Sequence, residues 1–263
     1  MYNKYVTIII IKQMLSNIIE FTTLTIIIFC ALSVRYFLVS WPLYWLLWTR
    51  RPCSWENRRL QEIKENSQNI KTEIKWSIVS SLIFSPGVAL AMTIINNGYT
   101  RVYTNPLEYG YLYLPISLLI YLFLHDTYFY WTHLWLHNPK IYRRFHRIHH
   151  QSIKPTPWTS FCFDPLESIM QAVIIPIMLL IIPIHTSMLI LLLILMTVFG
   201  VINHLGYEVY PRSWMKGFWA EHWITPSHHT LHHHKFNCNY GLYFRFWDKV
   251  MGTDVIQEEK LNF

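Results

Sequence analysis

The sequence predicts an all-α, polytopic membrane protein with about four transmembrane helices, a helical hairpin among them, and a cytosolic His-rich helical cap. Three observations predict it. Charged residues make up only 14% of the 263-residue chain, against roughly 25% in a typical soluble domain. Hydrophobic residues reach 52% and aromatics 17%, gathered in runs long enough to span a bilayer. All 14 histidines lie at or after His125. Disorder is excluded, because disordered chains lack this apolar and aromatic content. So little charge also cannot cover a water-soluble globule. Net charge is +7 with histidine neutral. The basic residues flank apolar runs, as juxtamembrane charges do, so nucleic acid is not an expected partner. Cys30, Cys53, Cys162 and Cys238 are scattered without a CxxC pair, which suggests neither a disulfide framework nor a zinc knuckle.

The elements follow in order. Residues 5–19 are apolar but carry Lys12. No small-residue cleavage site follows them, so they read as an amphipathic or membrane-surface helix kept in the mature chain. Residues 24–48, interrupted by Arg35, form the first span. A basic loop, residues 49–75, carries Arg50, Arg51, Arg58, Arg59, Lys64, Lys71 and Lys75. Within it, residues 55–75 read as a charged helical linker with a solvated face. Residues 76–95 and 111–131 are the second and third spans, each close to the roughly 20 residues a bilayer needs. Residues 132–164 are polar and His-rich. Residues 166–202 are too long for one span, and Pro183, His185 and Thr186 at their middle predict a helical hairpin. Residues 203–263 hold no span. The chain thus divides into an N-terminal membrane region, residues 1–110, and a catalytic region, residues 111–263. Lys and Arg crowd residues 49–75, while residues 96–110 hold only Arg101. The first loop is therefore expected in the cytosol and the second on the opposite side. Lys140, Arg143, Arg144, Arg147 and Lys154 return the His-rich block to the cytosol, and the hairpin returns the C-terminal part there too.

Three histidine clusters stand out. His133 and His137 form HxxxH. His146, His149 and His150 form HxxHH. His229, His232 and His233 repeat HxxHH, extended by His228 and His234. On a helix, positions i, i+3 and i+4 share a face, so each cluster is expected to aim its imidazoles one way. Imidazole suits zinc, copper, iron and nickel, and one metal seldom takes more than about six ligands. Eight histidines therefore imply two metals. A lone histidine is ordinarily a satisfied polar residue, and His185 and His222 are read so. The clusters can meet only if residues 166–202 begin and end on one side. A site there would lie at the membrane–water boundary, taking an apolar substrate from the bilayer and electrons from the cytosol.

The stretches around these clusters are HDTYFYWTHLWLH, FHRIHH, PTPWTSFCFDPLE, NHLGYE, TPSHHTLHHHKFNCNYGLYF and FWDKVMGT, running in order from His125 to Thr253. Together they resemble the fatty acid hydroxylase/sterol desaturase superfamily, and most closely its sterol C5-desaturase-like branch. The resemblance implies a membrane-bound non-haem di-iron enzyme that uses O2 to hydroxylate or desaturate a sterol or fatty acyl lipid. It implies His133, His137, His146, His149, His150, His229, His232 and His233 as the catalytic metal ligands. His204, in NHLGYE, is a further candidate ligand, and His125 lies two turns before His133. Relatives often have His where this chain has Asp164, and Arg where it has Leu134.

The parts fit that chemistry. Oxidising an unactivated C–H bond needs a redox metal with open positions, and zinc is redox-silent. Asp126, Asp164, Glu167, Glu208 and Asp248 are candidates to orient ligating histidines, or else to cap helices and pair with arginines. Tyr128, Tyr130, Trp131, Trp158, Trp219, Trp223 and Trp247 line a lipid path or, for more of them, anchor the chain at the interface. No GxGxxG flavin fingerprint appears, so an external donor such as cytochrome b5 or a ferredoxin-type reductase system is implied. The membrane would be the endoplasmic reticulum in a eukaryote and the inner membrane in a bacterium. Two other readings stay open, a His-rich metal transporter and a zinc-dependent membrane hydrolase. Hydroxylation and desaturation both begin with hydrogen abstraction, and the residues do not choose between them.

Overall fold

The computed structural model describes residues 2–61, 67–211, 213–214 and 217–255. Lys64 of the basic loop and the C-terminal residues 256–263 lie outside them. The fold is all-α, as the composition predicts.

The chain opens with one continuous helix, α1 (Tyr2–Tyr44). The expected separate surface helix over residues 5–19 is therefore corrected. A lone Lys12 breaks no helix, and α1 contains no glycine and no proline before Pro42. The helical rise makes α1 about 65 Å long. After Pro42 the chain under-winds into a π-helical turn, Trp45–Arg50, closed by Arg51 at φ 46°. Proline removes an intrahelical donor, which is a common cause of such a break. Arg35, inside α1, donates to the Leu193 carbonyl at 3.1 Å. One face of α1 is dry against the bundle, where Tyr36 is buried and donates to the Trp158 carbonyl at 2.8 Å. Ile26, Ile27, Leu38 and Trp41 are exposed and face outward.

The linker after α1 is not the expected continuous solvated helix. A 3-10 turn, Cys53–Arg58, ends in an extended Arg59, and α2 (Ser67–Asn96) begins well inside the charged stretch. Leu60 and Gln61 are buried, and the Gln61 amide donates to the Pro155 carbonyl at 2.6 Å. Along α2, Ser77, Ser80, Ser81 and Ser85 are buried in a row. Small side chains let helices approach closely in a bundle. Ser168 Oγ donates to Ser80 Oγ at 3.0 Å, and Gly87 lies against Ala172.

Then come α3 (Tyr113–Leu136), the short α4 (Pro139–Phe145) and α5 (Arg147–His150), a 3-10 turn Pro157–Phe161, and α6 (Pro165–Ile181). The expected hairpin is present. α6 turns through Pro183 into α7 (Thr186–Asn203), and His185 Nδ1 accepts the Ser187 N–H at 3.1 Å. At the turn a two-residue strand, β2 (Ile184–His185), pairs parallel with β1 (Val102–Tyr103). The hairpin tip and the loop of residues 96–110 therefore occupy one end of the bundle. At the other end the basic loop packs on the His-rich region, where Arg58 donates to the carbonyls of Glu208 and Tyr210. The chain closes with α8 (Phe218–His222), α9 (Pro226–Lys235) and α10 (Phe246–Met251).

Among the described residues, three helices are long and apolar enough to cross a membrane: Ile8–Arg50, Asn69–Asn96 and Thr186–Asn203. The expected third span lies in α3, whose second half carries His125, Asp126, Thr127, Tyr128 and Tyr130 and so falls short in hydropathy. The first arm of the hairpin, α6, has only 17 residues. A core of Tyr121, Met178, Leu179, Ile184, Leu192 and Tyr243 ties α3, both hairpin arms and the segment before α10 together.

Candidate metal centre

α3 delivers the first cluster. His133 lies in its last turn, and His137 ends the helix with its N–H on the His133 carbonyl. α4 starts sharply because Asn138 accepts the Lys140 N–H and Pro139 follows it, a proline at the first helical position being preorganised for this. His146 stands between α4 and α5 at φ −143° and opens the turn that carries His149 and His150. Asp164 Oδ2 accepts the Ile148 N–H at 2.7 Å, so it holds the start of α5 and belongs to neither histidine group. α9 starts on a capping box in which Thr225 and His228 are reciprocal partners. Glu208 also accepts from Ser227 at that end, through both the N–H and the hydroxyl. A carboxylate there complements the helix dipole.

The nine predicted histidines converge, in a partition the spacing does not predict. His133, His137, His146, His150 and His232 form one group, and His149, His204, His229 and His233 form a second. Within each group the ring nitrogens lie within 4.8 Å of one another. Clusters two and three are thus each shared between the groups, which corrects the expectation that each cluster aims one way. Adjacent helical residues are about 100° apart, so His149 and His150 diverge, as do His232 and His233. His137 is half-buried and the other eight are buried.

Hydrogen bonds set the tautomers. His133 Nδ1–H donates to the Tyr240 carbonyl (2.9 Å), His232 to Cys238 (2.7 Å), His204 to Gly200 (2.6 Å) and His149 to Cys162 (3.3 Å). His146 Nδ1–H donates to Glu167 Oε2 at 2.8 Å. Each of these rings then presents a bare Nε2 lone pair. The Nε2 atoms of His133 and His146 are buried without a hydrogen-bond partner. His149 and His204 set two such lone pairs 3.4 Å apart. Converging lone pairs with no donor between them repel, and a cation relieves this. Burial first, then the neighbouring imidazoles, push His146, His149, His150, His229, His232 and His233 well below the ordinary imidazole range. These rings are therefore neutral, the form that binds metal. Donor type, tautomer and burial all fit a pair of metal ions.

Of the acids singled out from sequence, Glu167 bonds the ring of a clustered histidine, whereas Asp164 meets the backbone of Ile148 and His149. Asp126 Oδ1 accepts from the N–H groups of Leu242, Tyr243 and Phe244, and Asp248 accepts from Tyr240 and Gly241. Both shape the loop after α9 that supplies the Tyr240 carbonyl. His125 bonds Tyr243 (Nδ1 to the hydroxyl, 3.0 Å) and joins neither group. His185 and His222 also stand apart, as read from sequence, and His228 stays with Thr225. Sequence reasoning missed Glu73. Buried on α2, it accepts from Ser152 (2.7 Å) and Thr156 (2.5 Å) and clamps the chain just after the second cluster. Its one visible signal was a carboxylate three residues before an apolar run.

A helical membrane bundle with two buried histidine groups at one end defines the class. Residues 118–253 match the fatty acid hydroxylase family, and the chain belongs to that family, in its sterol desaturase-like branch. A Delta(7)-sterol 5(6)-desaturase of Gibberella zeae is 32% identical over 198 residues, covering 73% of this chain and 59% of that protein. One from Aspergillus fumigatus is 28% identical over 209 residues, 73% and 65% of the two chains. The lathosterol oxidase of Homo sapiens is 31% identical over 188 residues, 70% and 60%. The chain thus spans about six-tenths of the length of the curated relatives it matches. No solved structure matches it.

Proposed function

We propose that the protein is a membrane-bound, O2-dependent di-iron oxidoreductase that hydroxylates or desaturates a lipid. The observation that carries this is the pair of buried groups of five and four histidines. Their number argues against zinc, which takes four ligands in structural sites and three plus water in catalytic ones. His133, His137, His146, His150 and His232 would hold one ion, and His149, His204, His229 and His233 the other. The ions would supply the oxidising power for a C–H bond, with O2 as co-substrate and electrons from an external donor such as cytochrome b5 or a ferredoxin-type reductase system.

The chain's own residues prepare that chemistry. The carbonyls of Tyr240, Cys238, Cys162 and Gly200 and the Glu167 carboxylate lock five rings with Nε2 inward. Such outer partners fix ring orientation and raise ligand basicity. Burial keeps water from the site. The names of the relatives support a sterol as substrate. The basic loop beside the histidines supports a cytosolic site, in the endoplasmic reticulum of a eukaryote or the inner membrane of a bacterium.

The test is metal content by mass spectrometry, together with O2 consumption and a lipid product profile. Two irons per chain and an oxidised sterol or acyl product are expected. Zinc with hydrolysis, or metal flux across vesicles without O2 uptake, would overturn the reading.

A further inference from the structure

Tyr240 packs against three members of the five-histidine group. Its ring centroid lies 5.6 Å from that of His133, 5.2 Å from His137 and 5.4 Å from His232. Its backbone carbonyl is also the acceptor that orients His133. From Tyr240 a line of easily oxidised rings runs outward. Tyr130, fully buried, is 6.1 Å from Tyr240. Tyr130 is 5.5 Å from Trp131 and 6.2 Å from Trp247, and the two indoles are 5.4 Å apart. Trp131 ends the line at the surface, 41% exposed.

Two features set this line apart from ordinary core packing. The first is its unbroken run of phenols and indoles, which give up an electron far more readily than phenylalanine does. Tyr142 also meets the five-histidine group, but its other ring neighbour is Phe236, so no line continues from it. Among the described residues, the four-histidine group meets one ring besides histidine, that of Phe163. The second feature is a proton path at Tyr130. Its hydroxyl is 3.0 Å from Thr253 Oγ1, and Thr253 donates to Asp248 Oδ1 at 2.7 Å. A hydroxyl has one proton to give, so Tyr130 is the donor to Thr253. Its proton can therefore move to Thr253 as Thr253 passes its own to the Asp248 carboxylate. The Tyr240 hydroxyl donates instead to the Phe236 carbonyl at 3.2 Å, and a carbonyl keeps no extra proton. Tyr240 is thus a place of passage, and Tyr130 a place of rest.

We propose that Tyr240, Tyr130, Trp247 and Trp131 form a protective electron line, which discharges the metal pair when O2 is reduced there with no substrate C–H bond in reach. The inference rests on the O2-dependent di-iron reading, which supplies the oxidant. Tyr240 gives up one electron towards the histidines and is refilled from Tyr130, whose phenol proton goes to Asp248 through Thr253. The indoles refill Tyr130, and its proton returns. The vacancy then sits on exposed Trp131, where a one-electron reductant in solution, such as ascorbate, fills it. One electron enters at Trp131 for each that leaves Tyr240, and no covalent bond to carbon forms or breaks. In ordinary turnover the substrate bond and the external donor supply the electrons, so the line stays idle. Without it, an unspent oxidant would be left to attack its own ligands.

The experiment uses the full iron-loaded chain in a fluorinated surfactant, whose tail offers no C–H bond, with hydrogen peroxide added as oxidant. Samples frozen at once are read by electron paramagnetic resonance. Samples left longer are digested, and oxygen added to tryptophan is mapped by mass spectrometry. A tyrosyl signal should appear, followed by oxygen on Trp131 and Trp247, and metal-free protein in the same peroxide should show neither. Tyr130→Phe should abolish the signal and bring tryptophan oxidation down to the metal-free level. Thr253→Val keeps every ring but breaks the proton path, and it should abolish the signal too, which lost packing would not do. Tyr142→Phe should keep the signal, and ascorbate should suppress oxidation of Trp131. If Tyr130→Phe does not fold, Trp131→Phe, at the exposed end, carries the test, and its tyrosyl signal should outlast that of wild type. A signal kept in folded Tyr130→Phe but lost in Tyr142→Phe would overturn the inference, as would tryptophan oxidation equal with and without iron. Bound iron that consumes peroxide without a tyrosyl signal sinks the line alone. A chain that binds no iron sinks the metal reading and the line with it.

Discussion

His146 gives its Nδ1 proton to Glu167 at 2.8 Å, and each side chain is only 1% exposed. Among the described acids singled out from sequence, no other carboxylate bonds the ring of a clustered histidine, Asp164 meeting only the backbone of Ile148 and His149. The pair joins the turn before α5 to the first turn of α6, so it couples the second histidine cluster to the hairpin. Glu167→Gln keeps an acceptor but removes the charge that polarises the ring. It should lower metal affinity by about 10- to 100-fold, the usual cost of losing such a partner. Chelator competition followed by metal analysis measures this, and an affinity equal to wild type would show that the pair serves only folding.

His232 and His233 are neighbours in sequence and belong to different groups. His232→Ala and His233→Ala should each abolish turnover in a folded, membrane-inserted protein. Each should also deplete a different metal position. Mössbauer or X-ray absorption spectra of the two iron-loaded variants should therefore differ from each other as well as from wild type. Identical residual spectra would contradict the partition.

His185→Ala should leave turnover close to wild type. Its ring bonds Ser187 and the Thr104 carbonyl at the far end of the bundle. Losing these bonds should cost about 1 kcal/mol of stability, visible as a small drop in thermal midpoint. A large loss of activity would mean that the hairpin tip communicates with the site.

Glu73→Ala strips the acceptor from the Ser152 and Thr156 hydroxyls, all three groups being buried. Leaving such groups unsatisfied costs about 1–3 kcal/mol. Thermal unfolding in detergent should show this loss, and Glu73→Gln should recover part of it. An unchanged midpoint would restore the solvated-linker reading of that stretch.

Single cysteines at Glu56, Asn105 and Lys154, in a chain with Cys30 and Cys53 replaced by serine, should report sidedness in sealed vesicles. Glu56 and Lys154 should label from the cytosolic side and Asn105 from the other. Labelling of Glu56 and Lys154 from opposite sides would be incompatible with Gln61 reaching the Pro155 carbonyl.

Much of this architecture is readable in the residues. The hairpin follows from the length of residues 166–202 and the Pro183 break. The nine histidines follow from their spacing and flanking motifs. Three features are not readable, each for a physical reason. The partition of the histidines depends on where α5 and α9 sit relative to one another, because spacing reports a shared face only within one helix. Glu73 looks like one more charge in a charged linker, and its burial arises only when Ser152 and Thr156 fold over it. The continuity of α1 is hidden by Lys12, since one exposed cation breaks the apolar pattern without breaking the backbone.

The placement of the hairpin between the second and third clusters also sets a schedule. A chain leaves the ribosome from its N-terminus, and its parts fold as they emerge. Of the five-histidine group, only His232 lies after the hairpin, so most of that group exists early in synthesis. Of the four-histidine group, only His149 lies before it, and His204, His229 and His233 arrive last. The two halves of the centre therefore gather their ligands on different schedules, and α9, which carries His229, His232 and His233, completes both. Until α7 has been inserted, the first group already has four of its five histidines and the second only His149.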